Sequence, residues 1–281
     1  MAKVFSSVNS FVLLMAVAPA AVAALPQMIV MEGGKTYPGH IQGACTDGTN
    51  IYWSLTWDLI RTDLSGKKLA HYHNRDFHMG DLCWHRGRIY VGINRTASGG
   101  CRRGDEVWVF EPEKLDRVKV VPTPQTVWCN NGIEWYGGRF WVIGSQPTDS
   151  AYNFVFEYTE DFRFVQCRPI ESGPMCYGVQ TVCLKDDVMY FGCYGLKGRK
   201  GNTFGVKVKD LVRPSRNAEF PYIVPIISRF NASSSEGMFV LDGTMWLAYS
   251  VEEKNPPPDA NGKPQRLFGA RAYPCPGFGG N

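Results

Sequence analysis

Apolar and polar positions along this chain fall into short segments broken by turns, and one arrangement of them recurs five times. Each copy begins near a glycine, continues through a few mostly apolar residues to a polar turn, and ends in a segment rich in aromatic side chains. The glycines, which are separated by 37 to 59 residues, are Gly43, Gly80, Gly132, Gly178 and Gly237. Turn pairs such as Asp242-Gly243 suit tight hairpins, which need positive φ angles that Gly and Asp tolerate. The pattern therefore predicts five β-hairpins.

A second hairpin follows the first in most copies. The segments that carry it are 58–69, 106–115, 153–164, 203–208 and 266–273. Two hairpins make four strands, and a repeated four-stranded unit of about 40–50 residues is typical of a β-propeller blade. We therefore predict an all-β fold, a β-propeller of five four-stranded blades, in which residues 24–39 could supply a strand that closes the ring. Six blades, or another all-β fold such as a sandwich, stay open as alternatives.

The N-terminal segment predicts export. Lys3 is followed by an almost purely apolar run at residues 11–25, and Ala21-Val22-Ala23 has the form of a cleavage site, so residues 1–23 read as a signal peptide. An uncleaved anchor is the alternative, although about 20 apolar residues are needed to span a membrane. We expect residues 24–281 to form a single propeller domain, secreted or periplasmic, that does not span a membrane.

Composition and charge limit the classes of ligand that we expect this protein to bind. The chain is 44% hydrophobic and 20% charged, with a net charge of +4 and no long run of Lys or Arg. Such a weak and scattered positive charge argues against nucleic acid as a ligand. We expect a monomer that binds a glycan or another small molecule.

The predicted mature segment contains nine cysteines, an odd number. Export permits disulfides, and an odd count leaves at least one thiol unpaired within the chain. Cys101–Cys129 and Cys167–Cys176 are the pairs to test first. Several other cysteines fall in predicted inner strands, where a buried thiol acts as a small hydrophobic group.

Segments 40–54, 62–67 and 78–91 carry the patterns H-x-Q-G…D-G-x-x-I-Y-W-S, T-D-L-x-G-K and H-x-G-D-L…G-x-I-Y-V. In these the chain resembles secreted bacterial five-bladed propellers, and the similarity extends over most of the mature segment. The resemblance implies the propeller fold and a carbohydrate-active character. Five-bladed propellers as a class include glycoside hydrolases, sugar-binding lectins and calcium-dependent nucleotidases, so the fold alone constrains function weakly.

The candidate site lies where the loops entering the innermost strands converge at one mouth of the channel. Polar residues gather around the repeated glycine in each copy. The candidate catalytic residues are His40, His78, Asp81, Glu134, Tyr177 and Glu236. The candidate substrate-binding residues are Gln42, Asn131, Gln180, Trp57 and Trp128.

Several chemistries fit this set. Glu134 and Glu236 could act as acid and base on a glycosidic bond. A His with Tyr177 could instead abstract a proton beside a uronate carboxyl, with Arg75, Arg95 or Arg102 neutralising the substrate. A divalent metal ion in the central channel, held by Asp81, Glu134 and the two His, is a third reading. The leading hypothesis is an exported polysaccharide or oligosaccharide hydrolase or lyase. The alternatives are a non-catalytic propeller that binds glycans or a protein, and a metal-dependent lactonase or nucleotidase.

Overall fold

The computed structural model describes residues 26–95, 105–194, 202–214, 222–230 and 236–275. These residues form twenty β-strands, arranged as five four-stranded antiparallel sheets, and one short helix, α1 (Val208–Leu211). The predicted signal peptide, Cys101 and Arg102 lie outside the described residues. No helical segment in the described part of the chain has the length and apolar character of a membrane span.

Strand β1 (Ile29–Val30) is the first described strand, and four blades follow it, each with its strands in chain order from the inside outwards. Blade 1 contains β2 (Ile41–Thr46), β3 (Asn50–Leu55), β4 (Asp58–Asp63) and β5 (Lys68–His73). Blade 2 contains β6 (His78–His85), β7 (Arg88–Asn94), β8 (Glu106–Phe110) and β9 (Arg117–Pro122). Blade 3 contains β10 (Asn130–Tyr136), β11 (Arg139–Gly144), β12 (Asn153–Thr159) and β13 (Phe164–Ile170). Blade 4 contains β14 (Val179–Lys185), β15 (Val188–Cys193), β16 (Asn202–Lys207) and β17 (Ser228–Phe230).

Blade 5 closes the ring. It contains β18 (Met238–Leu241), β19 (Thr244–Glu252) and β20 (Phe268–Pro274), and β1 supplies its fourth, outermost strand by pairing antiparallel with β20. The innermost strands contact one another in the cyclic order β2, β6, β10, β14, β18 and back to β2. The prediction of five four-stranded blades is therefore confirmed, and the six-bladed alternative is wrong.

Hairpin turns show why Gly and Asp recur at the predicted positions. Both residues of four turn pairs have positive φ: Arg86-Gly87, Gly137-Gly138, Asp186-Asp187 and Asp242-Gly243. Two-residue turns with positive φ match the right-handed twist of the flanking strands. These turns connect the first and second strands of blades 2 to 5, so each innermost strand is tied to its neighbour.

Apolar side chains pack between neighbouring blades. Trp53 of β3 is fully buried and meets Phe239 of β18 edge to face, with ring centroids 6.4 Å apart. Its indole N–H donates to Thr62 Oγ1 at 3.0 Å, which satisfies the polar end of the ring inside the core. The predicted Cys167–Cys176 disulfide is wrong, because both residues are free thiols. The partner predicted for Cys129 lies outside the described residues.

Candidate functional site

Irregularities in strand pairing aim polar side chains into one mouth of the channel. The pairing shifts near the start of the innermost strands of blades 1 to 4. The positions skipped by the shift include Gln42, Asn131 and Gln180, together with Asp81 in blade 2. A β-bulge bends its strand and re-aims the extra side chain, and bulges are frequent beside functional sites. The propeller thus concentrates polar groups at one end of its innermost strands.

Gln42, Asn131 and Gln180 border a cavity of about 640 Å³. It is lined by His40, Gln42, His78, Asn94, Cys129, Asn131, Ser145, Tyr177, Gln180, Tyr194, Glu236, Ser250, Glu252, Arg266 and Phe268. Seven of the eleven predicted site residues are in this set. A concave site of this volume that mixes amides, charges and aromatic rings suits a small polar ligand.

His40 and Glu236 lie in contact in the cavity wall. His40 Nδ1 lies 3.5 Å from Glu236 Oε1, and both side chains are mostly buried. The backbone N–H of Ser250 donates to Glu236 Oε2 at 3.2 Å. Burial alone would raise the pKa of Glu236, but the hydrogen bond and charge of His40, with the contact from Ser250, bring that pKa below its ordinary value. Glu236 is therefore ionised at neutral pH.

His78 has a different environment, although it shares the cavity. Burial, with a smaller contribution from the charge of His40, lowers the pKa of His78 to about 4. Its Nδ1 is buried and has no hydrogen-bond partner in the structure. At neutral pH His78 is therefore a neutral imidazole. It can accept or donate a hydrogen bond, but it does not act as a general acid.

Two of the predicted amides support the site through structural contacts. The amide nitrogen of Gln42 lies 3.1 Å from each ring nitrogen of His40, so it positions that ring. Asn131 donates to Ser145 Oγ at 2.6 Å and to the carbonyl of Val179 at 2.8 Å, which ties blade 3 to blade 4. Both side chains are buried.

Aromatic rings form one side of the cavity. Tyr177 is 65% exposed and meets Tyr194 edge to face at 6.5 Å between ring centroids. Burial raises the pKa of Tyr194, and the charge of Glu236 adds to that rise. Tyr177 has φ of 57°, and Cys129, which also lines the cavity, has φ of 95°. Non-glycine residues in this region are strained, and such strain is commonly found at ligand sites.

A second carboxylate faces the same cavity. Glu252 receives two hydrogen bonds from Arg266, at 2.5 and 2.9 Å. These hydrogen bonds and the charge of Arg266 lower the pKa of Glu252. The Arg266 guanidinium also lies 5.0 Å from the centre of the Phe268 ring, which itself stands edge to face to His40.

Asp81 lies beneath the cavity rather than in its lining. It is fully buried, and its Oδ2 accepts from Thr181 Oγ1 and from the backbone N–H of Val182, each at 2.7 Å. Burial raises the pKa of Asp81 well above its ordinary value, which its hydrogen bonds only partly oppose. Asp81 therefore clamps blade 2 to blade 4 across the channel, and the structure does not bring it into the predicted site.

Glu134 lies further along the channel, in a second cavity of about 190 Å³. It faces Cys45, Cys83 and Cys183, which occupy the same register on their own innermost strands. Burial raises the pKa of Glu134 to about 7, against two backbone hydrogen bonds that lower it. Glu134 lies three positions beyond Asn131 on β10, and a strand advances about 3.3 Å per residue. The structure therefore separates Glu134 from His40 and Glu236.

The predicted tryptophans, Arg75 and Arg95 also lie outside the cavity lining. Trp57 is partly buried between β3 and β4. Trp128 is 39% exposed and precedes Cys129, so it stands at the rim. Arg95 is held by Glu106 at 2.8 Å. The arginine that does line the cavity is Arg266.

Residues missed by the sequence analysis come mainly from the second strands of the blades and the residues just beyond them. Asn94, Ser145, Tyr194 and Ser250 all line the cavity. The second strand runs back antiparallel to the first, and His78 is paired directly with Asn94. The end of a second strand therefore meets the start of the first strand at the same mouth, and the hairpin lengths visible in the sequence could have indicated these positions.

Among the described residues, neither cavity holds three potential metal ligands whose ligand atoms lie within 4.8 Å of one another. The one such group that the described residues contain is Asp58, His71 and His73, on the outer strands of blade 1. Asp81, Glu134 and the two cavity His, which the sequence analysis grouped as metal ligands, are thus not gathered around one point.

Comparisons with known proteins show a shared fold and no family. No family model and no curated protein matches the sequence. Among solved structures, the GH43B protein of the Bacteroides ovatus xyloglucan PUL aligns with a TM-score of 0.57 and 16% identity, over 88% of this chain and 54% of that one. The phage phi92 endosialidase aligns with a TM-score of 0.55 and 8% identity, over 88% and 68% of the two chains. A GH43_1 enzyme from Xanthomonas citri, solved with xylose, aligns with a TM-score of 0.52 and 14% identity, over 88% of this chain and 90% of that one. The chain thus spans about half the length of the Bacteroides protein. At identities this low, the structural alignments show a shared propeller fold and no more than that.

Proposed function

We propose that this protein is a carbohydrate-active enzyme that hydrolyses a glycosidic bond in the cavity at the channel mouth. The contact between His40 and Glu236 carries the proposal, because it keeps one partly buried carboxylate ionised inside a polar cavity. An ionised carboxylate can take a proton from water or attack an anomeric carbon. The solved structures that share the fold include glycoside hydrolases and an endosialidase, which supports a glycan as the ligand.

Glu252 is the partner that we propose for Glu236. It lines the same cavity and lies two residues beyond Ser250, whose backbone holds Glu236. Acid and base stand about 6.5–9.5 Å apart in inverting glycosidases, so this assignment requires that separation between the two carboxyl groups. A sugar that draws Arg266 away from Glu252 removes the contact that lowers its pKa. Glu252 then carries the proton to the leaving oxygen, and Glu236 activates the water.

The remaining groups of the cavity orient the sugar in this proposal. Tyr177 offers an exposed ring against which the C–H face of a sugar can stack, and Gln180 and His78 offer hydrogen bonds to hydroxyl groups. Gln42 acts as a positioning residue, because its amide holds the His40 ring.

A non-catalytic glycan-binding propeller is the second candidate. One observation favours it: both cavity carboxylates have lowered pKa values, so neither holds a proton in the ligand-free state. The two candidates differ in a simple respect, since a binding protein retains its ligand without converting it.

The test is the release of reducing ends from a panel of plant, bacterial and sialylated glycans by the wild-type protein and by Glu236→Gln. Glu160→Gln is the matched control, because Glu160 also pairs with a histidine, His85 at 3.0 Å, but outside the cavity. We expect release by the wild type and by Glu160→Gln, and a loss of at least about 100-fold with Glu236→Gln. Binding by the wild type without release would favour the second candidate.

A further inference from the structure

The outer hairpin of blade 1 places one carboxylate and two imidazoles together, away from the cavity. Asp58 begins β4, and His71 and His73 lie two residues apart on β5. Asp58 is paired directly with His73, and His71 is paired with Ile60. Since side chains alternate along a strand, all three side chains project from the same face of the sheet.

The three side chains converge on one oxygen atom. His71 Nε2 lies 2.7 Å and His73 Nδ1 lies 2.8 Å from Asp58 Oδ1. One ligand atom from each of the three residues lies within 4.8 Å of the others. Two cis ligands of a metal ion at about 2.1 Å stand about 3 Å apart, and the two nitrogen-to-oxygen distances are already close to that value.

These contacts give hydrogen-bond partners to only one of the two Asp58 carboxylate oxygens. Its side chain is 2% exposed, and its Oδ2 is buried with no hydrogen-bond partner. A buried carboxylate oxygen without a partner is costly and rare, and a bound ion or ordered water is a usual explanation. The two imidazoles are 36% and 42% exposed, so solvent can reach the cluster and occupy any further coordination positions.

We propose that Asp58, His71 and His73 form a binding site for a divalent transition-metal ion such as Zn²⁺, Co²⁺ or Ni²⁺. Two imidazole nitrogens and one carboxylate oxygen suit these ions, whereas Ca²⁺ and Mg²⁺ prefer oxygen ligands throughout. Tyr37 supports the site, because its ring meets His71 edge to face at 5.6 Å between centroids and restrains that imidazole. An ion there would cross-link the two outer strands of blade 1. The site is separate from the cavity, and it does not depend on the proposed hydrolysis.

The experiment is a titration of EDTA-treated, dialysed protein with CoCl₂, followed by visible absorption and calorimetry. We expect one equivalent to bind, with visible d–d bands and no sulfur-to-cobalt charge-transfer band. A charge-transfer band would place the ion at thiols such as Cys45, Cys83 and Cys183 and would contradict the proposal. His71→Ala and His73→Ala should each weaken binding at least about 100-fold, since losing even an outer partner of a metal ligand costs 10- to 100-fold.

His85→Ala is the matched control, because His85 also pairs with a carboxylate but has no second imidazole within its group. It should bind Co²⁺ as the wild type does. Circular dichroism and thermal unfolding without metal show that each variant is folded. Failure of the folded wild type to bind Co²⁺, or unchanged binding by folded His71→Ala and His73→Ala, would overturn the proposal.

Discussion

His40 and Glu236 come from opposite ends of the described chain, and their side chains meet at 3.5 Å between Nδ1 and Oε1. His40 precedes β2, the innermost strand of blade 1, and Glu236 precedes β18, the innermost strand of blade 5. The pairing of β1 with β20 brings these two blades together. Closure of the ring therefore also brings His40 and Glu236 into contact in the cavity.

Removal of His40 should raise the pKa of Glu236. The hydrogen bond and charge of His40 are the largest contributions that lower that pKa against the effect of burial. In His40→Ala, Glu236 should become protonated at a higher pH than in the wild type, which a ¹³C NMR titration of the side-chain carboxyl measures. His85→Ala should shift the titration of Glu160 upwards instead, because His85 lowers the pKa of Glu160. An unchanged Glu236 titration in His40→Ala would show that the pair is not electrostatically coupled.

The free energy of unfolding of Asp81→Asn should rise relative to that of the wild type as the pH rises. The folded-state pKa of Asp81 is raised by burial, so the unfolded chain releases this proton at a lower pH than the folded protein. The wild type thereby loses stability as the pH rises above about 4, the usual pKa of an unfolded Asp. Asn cannot ionise, and its carbonyl can still accept from Thr181 and Val182. Urea unfolding at pH 4.5 and 8 measures the difference, and a difference independent of pH would contradict a raised pKa.

Gly43→Ala should destabilise the ring through steric overlap at its centre. A Cβ on Gly43 would stand 2.2 Å from Asp81 Oδ1 and 2.5 Å from the Asp81 Cα. Overpacking of this kind costs about 3 kcal/mol, near the upper end of the usual range. Gly48→Ala is the comparison, because its Cβ meets nothing within 4 Å and only its φ of 89° is unfavourable, at about 1–2 kcal/mol. Equal free energies of unfolding for the two variants would argue against close packing around Asp81.

The three cysteine thiols around Glu134 should be inert in the folded protein. Burial, with the negative charges of Glu134 and Asp81, raises the pKa of Cys45, Cys83 and Cys183 well above the ordinary value. The thiolate is the reactive form. Mass spectrometry after brief treatment with iodoacetamide at pH 8 should find these three unmodified in native protein and modified after unfolding in urea. Rapid native modification would show that the second cavity is open and wet.

The repeat predicted the fold well but fixed the strand register less well. Gly43 and Gly132 occupy equivalent positions in their blades, but the equivalent position in blade 2 is Asp81 and in blade 4 is Thr181. Aligning the copies on a glycine therefore shifted some of them by one to three residues. Counting back from the hairpin turn would have aligned them correctly, because the antiparallel pairing on each side of the turn is regular.

The grouping of Glu134 with Glu236 has a different cause. Gly132 and Gly237 are equivalent positions, and the candidate residues include positions on both sides of the repeated glycine. Glu236 precedes its glycine by one residue, and Glu134 follows its glycine by two. A difference of this size moves a side chain by about 10 Å along a strand, from the mouth into the channel. The metal cluster at Asp58, His71 and His73 was missed for another reason: it depends on pairing between two outer strands, which the search along the innermost strands did not include.

Turnover by Glu236→Gln tests the central claim most directly. The substitution keeps the size of the side chain and removes the charge that His40 stabilises. On the glycan that the wild type converts fastest, we predict that kcat falls at least about 100-fold, while the melting temperature and the binding of that glycan stay close to those of Glu160→Gln. Undiminished turnover by a folded Glu236→Gln variant would contradict the account, because the cavity would then act without its ionised carboxylate.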